Sequence, residues 1–180
     1  SLRHEHQELH QRHPMSTITI RKATKDDIAI IHDLAWRIFP HTYREILTAE
    51  QTEYMMEWMY SEANLQDQME HGHRYLLAYD GAEPVGYVSV EQEEEDLFHL
   101  QKIYVLPERQ GTGLGQMLFR AAVALIKEQH PGPCSMELNV NRHNRAVSFY
   151  EHMGMHKARS GDFDIGHGYY MNDYIMRMEI

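Results

Sequence analysis

Gln110-Gly111-Thr112-Gly113-Leu114-Gly115 is the stretch of this chain best suited to hold a ligand. Its alternating glycines let the backbone take unusual dihedrals and approach a bound group closely. Ahead of them, Ile103, Tyr104 and Val105 read as a strand. Pro107 ends that strand, because its missing N–H cannot feed a ladder. Beyond the glycines, Leu114, Met117, Leu118, Ala121, Ala122 and Leu125 recur at the spacing of a helix with one buried face. A glycine turn at a helix start leaves bare N–H groups that suit a phosphate or pyrophosphate. The turn lacks the Gly-Lys-Ser/Thr ending of a triphosphate loop, and Gln116 stands where a dinucleotide fingerprint needs its third glycine. A plain strand-to-helix connection is the competing reading of these residues alone.

The second passage that could do chemistry runs from Leu138 through Asn144, Ala146 and Tyr150 to Gly154-Met155. Ala146, Phe149, Tyr150 and Met153 share one helical face, which turns the Tyr150 ring inward. A buried tyrosine is ordinarily a core residue with a satisfied hydroxyl. Beside a ligand loop, the same phenol is a proton donor in a cleft.

Together the two passages resemble the GNAT superfamily of N-acyltransferases. Gln110, Gly113 and Gly115 match its Gln/Arg-x-x-Gly-x-Gly pyrophosphate loop. Asn144, Ala146, Tyr150 and Gly154 resemble its second block, with Asn144 one residue nearer the alanine and Met155 in place of the usual Phe. The blocks stand in the family's order, separated by one helix and one strand, and the resemblance covers about residues 17 to 180.

That resemblance implies an α/β (α+β) fold: a central mixed, mostly antiparallel sheet of about seven strands, helices on both faces, and a splay between strands 4 and 5. It implies transfer of an acetyl group from acetyl-CoA, the cosubstrate, to a primary amine by direct attack, without a metal. Ile103, Tyr104 and Val105 would pair with the pantetheine arm. Gln110, Gly111, Thr112, Gly113, Leu114 and Gly115 would hold the pyrophosphate, and Asn144 would contact the CoA arm. A backbone N–H near Tyr104 would polarise the thioester carbonyl. Tyr150 would protonate the departing thiolate. Tyr43, Gln101 and Asn139 complete the set on the acceptor side. A homodimer is an expectation from the resemblance alone.

The amine needs a base, since a primary amine of pKa about 10 is mostly protonated at neutral pH. Many relatives carry Glu where this chain has Gln101, which cannot serve. His99 lies two residues earlier on the same strand face, and histidine is the side chain type suited to move a proton near neutral pH. A water chain competes with it, and Glu137 is a further candidate, although a strand-entry carboxylate is more often solvated. From Pro40 to Glu70, acids (Glu45, Glu50, Glu53, Glu57, Glu62, Asp67 and Glu70) outnumber the lone Arg44, with Tyr43, Tyr54, Trp58 and Tyr60 interleaved. Such a wall suits a small polyamine or diamine through ion pairing and cation–π contact. A solvated helix face explains the same pattern. Phe39-Pro40-His41-Thr42-Tyr43 and the Asp173-Tyr174-Ile175-Met176 ending resemble bacterial polyamine N-acetyltransferases of the PaiA type. A protein or peptide amine is an alternative acceptor, and a non-catalytic acyl-CoA sensor is an alternative role that Gln101 favours.

The elements that must position these groups follow from pattern. At 180 residues the chain reads as a polar His-rich leader over residues 1–14 and a single domain over 15–180. A formal net charge of −10 argues against nucleic acid. No apolar run approaches the roughly 20 residues of a membrane span. The only cysteine, Cys134, reads as a small packed residue, and a reducing cytoplasm is the default compartment. Thr17–Arg21 alternates as a strand. Thr24 caps a helix that should end before Pro40, and Thr48 with Gln51 opens another that runs to about Tyr60. A third helix runs from Glu62 to about His71. Strands over 74–79 and 85–90 turn at Asp80-Gly81, and Glu91–Asp96 reads as an acidic loop. Strands over 97–105 and 136–140, a helix over 144–153 and strands over 155–163 and 169–180 complete the expectation.

Overall fold

Alternating β-branched and aromatic residues pull seven stretches of the chain into one sheet. The computed structural model describes residues 17–180; the expected leader over 1–14 lies outside them. The strands are β1 (Ile18–Lys22), β2 (Arg74–Asp80), β3 (Glu83–Glu94), β4 (Leu97–Val105), β5 (Ser135–Asn141), β6 (His156–Gly166) and β7 (Tyr169–Glu179). Their order in space is β1-β2-β3-β4-β5-β7-β6. Every neighbouring pair is antiparallel except β4 and β5, which are parallel.

That exception sets the architecture. β4 and β5 pair only at Leu97–His99 against Ser135–Glu137. From Leu100 and Leu138 onward the two strands share no register pairs, so the sheet opens into a wedge, as the resemblance implied.

The helices are α1 (Ile28–Thr42), α2 (Ala49–Tyr60), α3 (Glu62–Glu70), α4 (Leu114–Gln129) and α5 (Ala146–His152). Successive residues of a strand face opposite sides. On β3, a Cβ on Gly86 would lie 3.2 Å from Leu118 of α4, while the next residue, Tyr87, has its ring 6.4 Å from that of Tyr60 on α2. The α1–α3 layer and α4 therefore cover opposite faces. The α2 cap stands where the sequence placed it, whereas Thr24 caps a 3-10 turn over Lys25–Asp27 that leads into α1. Thr48 and Gln51 exchange side-chain and backbone hydrogen bonds at α2, and Ser61 accepts from Asn64 N–H at α3.

Three expectations need correction. α1 does not end before Pro40 but continues through it to Thr42. The turn after the proline is held by Tyr43 N–H donating to Phe39 C=O at 3.1 Å, by Thr42 Oγ1 on Ile38 C=O, and by Phe39 and Tyr43 rings 4.5 Å apart. Glu91–Glu94 are not loop but the end of β3: Glu91 meets the Gln101 amide and the His73 ring, and Glu93 meets the His99 ring, which offsets the cost of crowding these carboxylates. α5 starts at Ala146 rather than Asn144, since Asn144 Oδ1 accepts the Ala146 N–H at 2.9 Å and acts as a cap outside the helix.

Candidate active site

The wedge between β4 and β5 opens into a cleft of about 810 Å³. One wall is β4 from Leu100 to Val105, followed by the glycine turn; the other is β5 from Leu138 to Val140, followed by the Asn144 cap and α5. The third side is the end of α1 and the turn after it, His41 to Ile46.

At the glycine turn, φ is +79° at Gly111 and +87° at Gly113, values that a side chain would strain. Gly113 is the N-cap of α4, and no side chain caps that terminus. The first amides of a 16-residue helix therefore face the cleft bare, with the positive end of the helix dipole behind them. Gly111, Gly113 and Gly115 line the cleft, whereas Thr112 and Leu114 do not. Thr112 turns its hydroxyl back to Arg109 C=O at 2.6 Å, and Leu114 is buried in the core. Gln110 lines the wall, and its amide donates to Val105 C=O at 3.4 Å, tying the turn to the end of β4.

Ile103, Tyr104, Val105, Asn144, Tyr150, Tyr43, Gln101 and Asn139 all line the same cleft. Tyr150 is 7% exposed, and burial pushes its phenol well above the ordinary tyrosine value, so it is protonated across the physiological range. Its hydroxyl makes no hydrogen bond with any described residue. The hydroxyls of Tyr43 and Tyr104 stand 3.4 Å apart, and burial raises both phenols.

The candidate bases are placed differently. His99 does not line the cleft; its Nδ1 lies 3.0 Å from Glu93 Oε1 on the neighbouring strand. Glu137 is not solvated as expected but 3% exposed. Arg159 and Arg177 donate to both of its oxygens and hold its carboxyl below the usual range. Gln101 donates to Glu91 Oε1 at 3.2 Å, and His73 lies 2.9 Å from the other oxygen of that carboxylate. Of the aromatic wall, Tyr43 alone among the expected residues lines the cleft. Tyr54 donates to Ile165 C=O at 2.7 Å, Tyr60 is buried, and Trp58 is exposed outside it.

Two buried polar residues escaped the sequence reading. Lys102, 4% exposed, sends its Nζ among Gln68 Oε1, Tyr75 OH and the ring of Tyr60. Asp173 of β7, 7% exposed, sits near Tyr43 and Asn139. The available signal was phase: each takes an inward position in a strand whose other inward residues are apolar or aromatic.

The acetyltransferase (GNAT) domain family matches residues 43–167. The chain belongs to the GNAT acetyltransferase family. Among curated proteins, the peptidyl-lysine N-acetyltransferase YjaB of Salmonella typhimurium is 33% identical over 97 residues, 53% of this chain and 59% of that relative. This GNAT chain thus spans little more than half the length of the curated relatives it matches. Among solved structures, the PaiA N-acetyltransferase of Thermoplasma acidophilum in complex with coenzyme A superposes with a TM-score of 0.74 at 23% identity, over 91% of this chain and 99% of that one. The spermidine/spermine N-acetyltransferase SpeG of Vibrio cholerae superposes with a TM-score of 0.64 at 20% identity, over 91% and 94%. These likenesses establish the GNAT fold. Among the described residues no helix is long and apolar enough to cross a membrane, and no cluster of side chains is arranged to hold a metal ion.

Proposed function

We propose that this GNAT chain is an acetyl-CoA-dependent N-acetyltransferase whose acceptor is a primary amine, a small polyamine or diamine. The observation that carries the reading is the continuity of the wedge, which joins the bare amides of α4 to Tyr150 and then to the α1–α2 turn in one cleft. Acetyl-CoA supplies an acetyl group activated as a thioester. Its pyrophosphate suits the amides at Gly113–Gly115, and the β4 backbone from Ile103 to Val105 offers ladder groups on its open side. A backbone N–H of β4 beside Tyr104, on the open edge of the strand, is the donor to the thioester carbonyl, and Tyr150 gives the leaving sulfur its proton. Burial holds that phenol neutral, so its proton is in place as the C–S bond breaks, and the transfer is uphill to a thiolate whose conjugate acid has pKa about 8.5.

The polyamine assignment rests on charge. The formal net charge is −10, Glu45 stands on the cleft rim, and the spermidine/spermine enzyme SpeG shares the fold. A peptidyl-lysine acceptor is the second reading, favoured by the 33% identity to YjaB. Thiol release from acetyl-CoA, measured against spermidine, spermine, putrescine, amino acids and lysine peptides, tests both. Turnover of a free polyamine supports the first reading, and turnover confined to peptides supports the second. Tight acetyl-CoA binding without acceptor-dependent release refutes both and points to a sensor.

A further inference from the structure

The carboxylate that lines the cleft, Glu45, stands exposed on its rim, but a buried one lies immediately next to the wall. Of the other acids on these strands, buried Glu137 has both oxygens held by arginines, and half-buried Glu91 has both held by Gln101 and His73. Asp173 differs: its Oδ1 is fully buried and has no hydrogen-bond partner among the described residues. It sits on β7 opposite Asn141 of β5, on the sheet face it shares with Asn139 two residues along. Tyr43 and Asn139, its neighbours, both line the cleft. Although Asn139 meets the group, a buried carboxylate oxygen without a donor is costly, and a bound cation with N–H groups is a partner that completes it.

We propose that Asp173 is the acceptor-side carboxylate of this site, where it binds the ammonium of the incoming primary amine and takes its proton before attack. The assignment rests on the acetyl-transfer reading above. Burial raises the Asp173 carboxyl to about 6, against the opposing pull of the Asn139 side chain and the Arg142 charge. The charged and titratable groups facing it are Arg142, from the β5–α5 turn, and Tyr43, from the end of α1. Arg142 is itself engaged by Asp162 of β6 at 2.9 Å, which leaves Asp173 short of a full counter-charge. A carboxylate in this state is ionised at neutral pH yet basic enough to accept a proton.

The step balances. One proton passes from the ammonium to the Asp173 carboxylate. The nitrogen lone pair then forms the C–N bond at the thioester carbonyl, the C–S bond breaks, and the sulfur takes the Tyr150 proton. The second proton lost by the nitrogen returns through water to Tyr150, and the proton on Asp173 leaves to solvent. Ammonium and thioester thus give amide, thiol and one released proton.

The test uses Asp173→Asn and Asp173→Glu in the full chain, with coenzyme A affinity as the check that each is folded. Calorimetry on the CoA-loaded protein should show spermidine and n-propylamine binding at least about tenfold more weakly to Asp173→Asn. With acetyl-CoA, kcat/KM for spermidine should fall by about 100-fold or more, and Asp173→Glu should recover part of it. Wild-type kcat/KM should rise through a group titrating near pH 6, and Asp173→Asn should lose that limb. The 13C carboxyl resonance of Asp173 should titrate near pH 6 in the wild type and shift lower when n-propylamine is bound. Equal amine affinity in wild type and Asp173→Asn, or an unchanged pH limb, would overturn the assignment. Amine binding that depends on Asp173 without any thiol release would sink the transfer reading and leave the carboxylate assignment standing.

Discussion

Replacing Lys102 by methionine should make the protein more stable, by an amount that depends on pH. The Lys102 amine is 4% exposed, and no carboxylate among the described residues pairs with it. Its neighbours are Gln68 Oε1 at 2.7 Å, the Tyr75 hydroxyl, and the Tyr60 ring, whose centroid is 4.3 Å away. Burial alone lowers its pKa from 10.5 to about 7. That difference corresponds to a penalty of about 5 kcal/mol on the folded charged form. The sign follows from proton counting. Between pH 7 and 10.5 the unfolded chain binds more protons than the folded one, so wild-type stability climbs with pH in that window. The penalty is complete below pH 7 and falls by about 2.5 kcal/mol between pH 6 and pH 9. Methionine fills a similar volume and carries no charge, and Tyr75 still donates to Gln68 Oε1 at 2.7 Å. Losing the amine's own hydrogen bonds and cation–π contacts lowers the gain by about 1–2 kcal/mol, but not its pH dependence. Urea unfolding of wild type and Lys102→Met at pH 6, 7, 8 and 9 reads the difference directly, because other titrating groups cancel between the two. A gap that stays constant to within about 0.5 kcal/mol across this range would refute the reasoning.

Tyr150→Phe removes the acid and little else, since its hydroxyl has no partner among the described residues. Its kcat should fall by about 100-fold or more, with KM for acetyl-CoA nearly unchanged in steady-state thiol release. Gly86→Ala places a methyl 2.8 Å from Tyr104 C=O and 3.2 Å from Leu118, so β4 must move away at the cleft. Denaturant unfolding should show a loss of about 1–3 kcal/mol, and calorimetry a weaker acetyl-CoA affinity. Asp173→Asn should raise the melting temperature more at pH 8 than at pH 4. The folded carboxyl titrates at about 6, above its unfolded value of 3.8, so the stability it confers is present at low pH and lost as pH rises through 6. An equal shift at both pH values would show that Asp173 is not strained by its burial.

Much of this was legible in the residues. The glycines of 111–115 read as a turn that bares amides, and the inward phase of Tyr150 follows from helical spacing once Gly154, at φ +105°, closes α5. Capping boxes are local, so Thr48 and Gln51 announced α2 correctly. What failed was non-local. Whether Pro40 ends a helix depends on Phe39 and Tyr43 packing across the next turn, and no local rule sees that contact. The acidic run at Glu91–Glu94 looks like loop until His73, His99 and Gln101 arrive from other strands to meet it. Glu137 looked solvated because Arg159 and Arg177 lie 22 and 40 residues away in sequence. Lys102 and Asp173 show the opposite limit: their inward phase was readable, but nothing local tells that the fold brings no full counter-charge to meet them.

The parting of β4 and β5 has a consequence for how the molecule holds together. Beyond His99 and Glu137 the sheet has two edges inside the molecule, each with ladder groups that no neighbouring strand satisfies. Exposed edges ordinarily invite another chain to add a strand. Here they face each other within a cleft walled by α1, α5 and the glycine turn, which shields them from a second protein but not from a slender extended molecule. A ligand that offers amides in line becomes, in effect, an eighth strand. It fastens residues 18–105 to residues 135–179 along a seam where the chain itself supplies only three register pairs. At 100 times its dissociation constant such a ligand adds about 2.7 kcal/mol to the folding equilibrium. The cosubstrate level in which the protein works would then set its lifetime against unfolding as well as its rate of turnover.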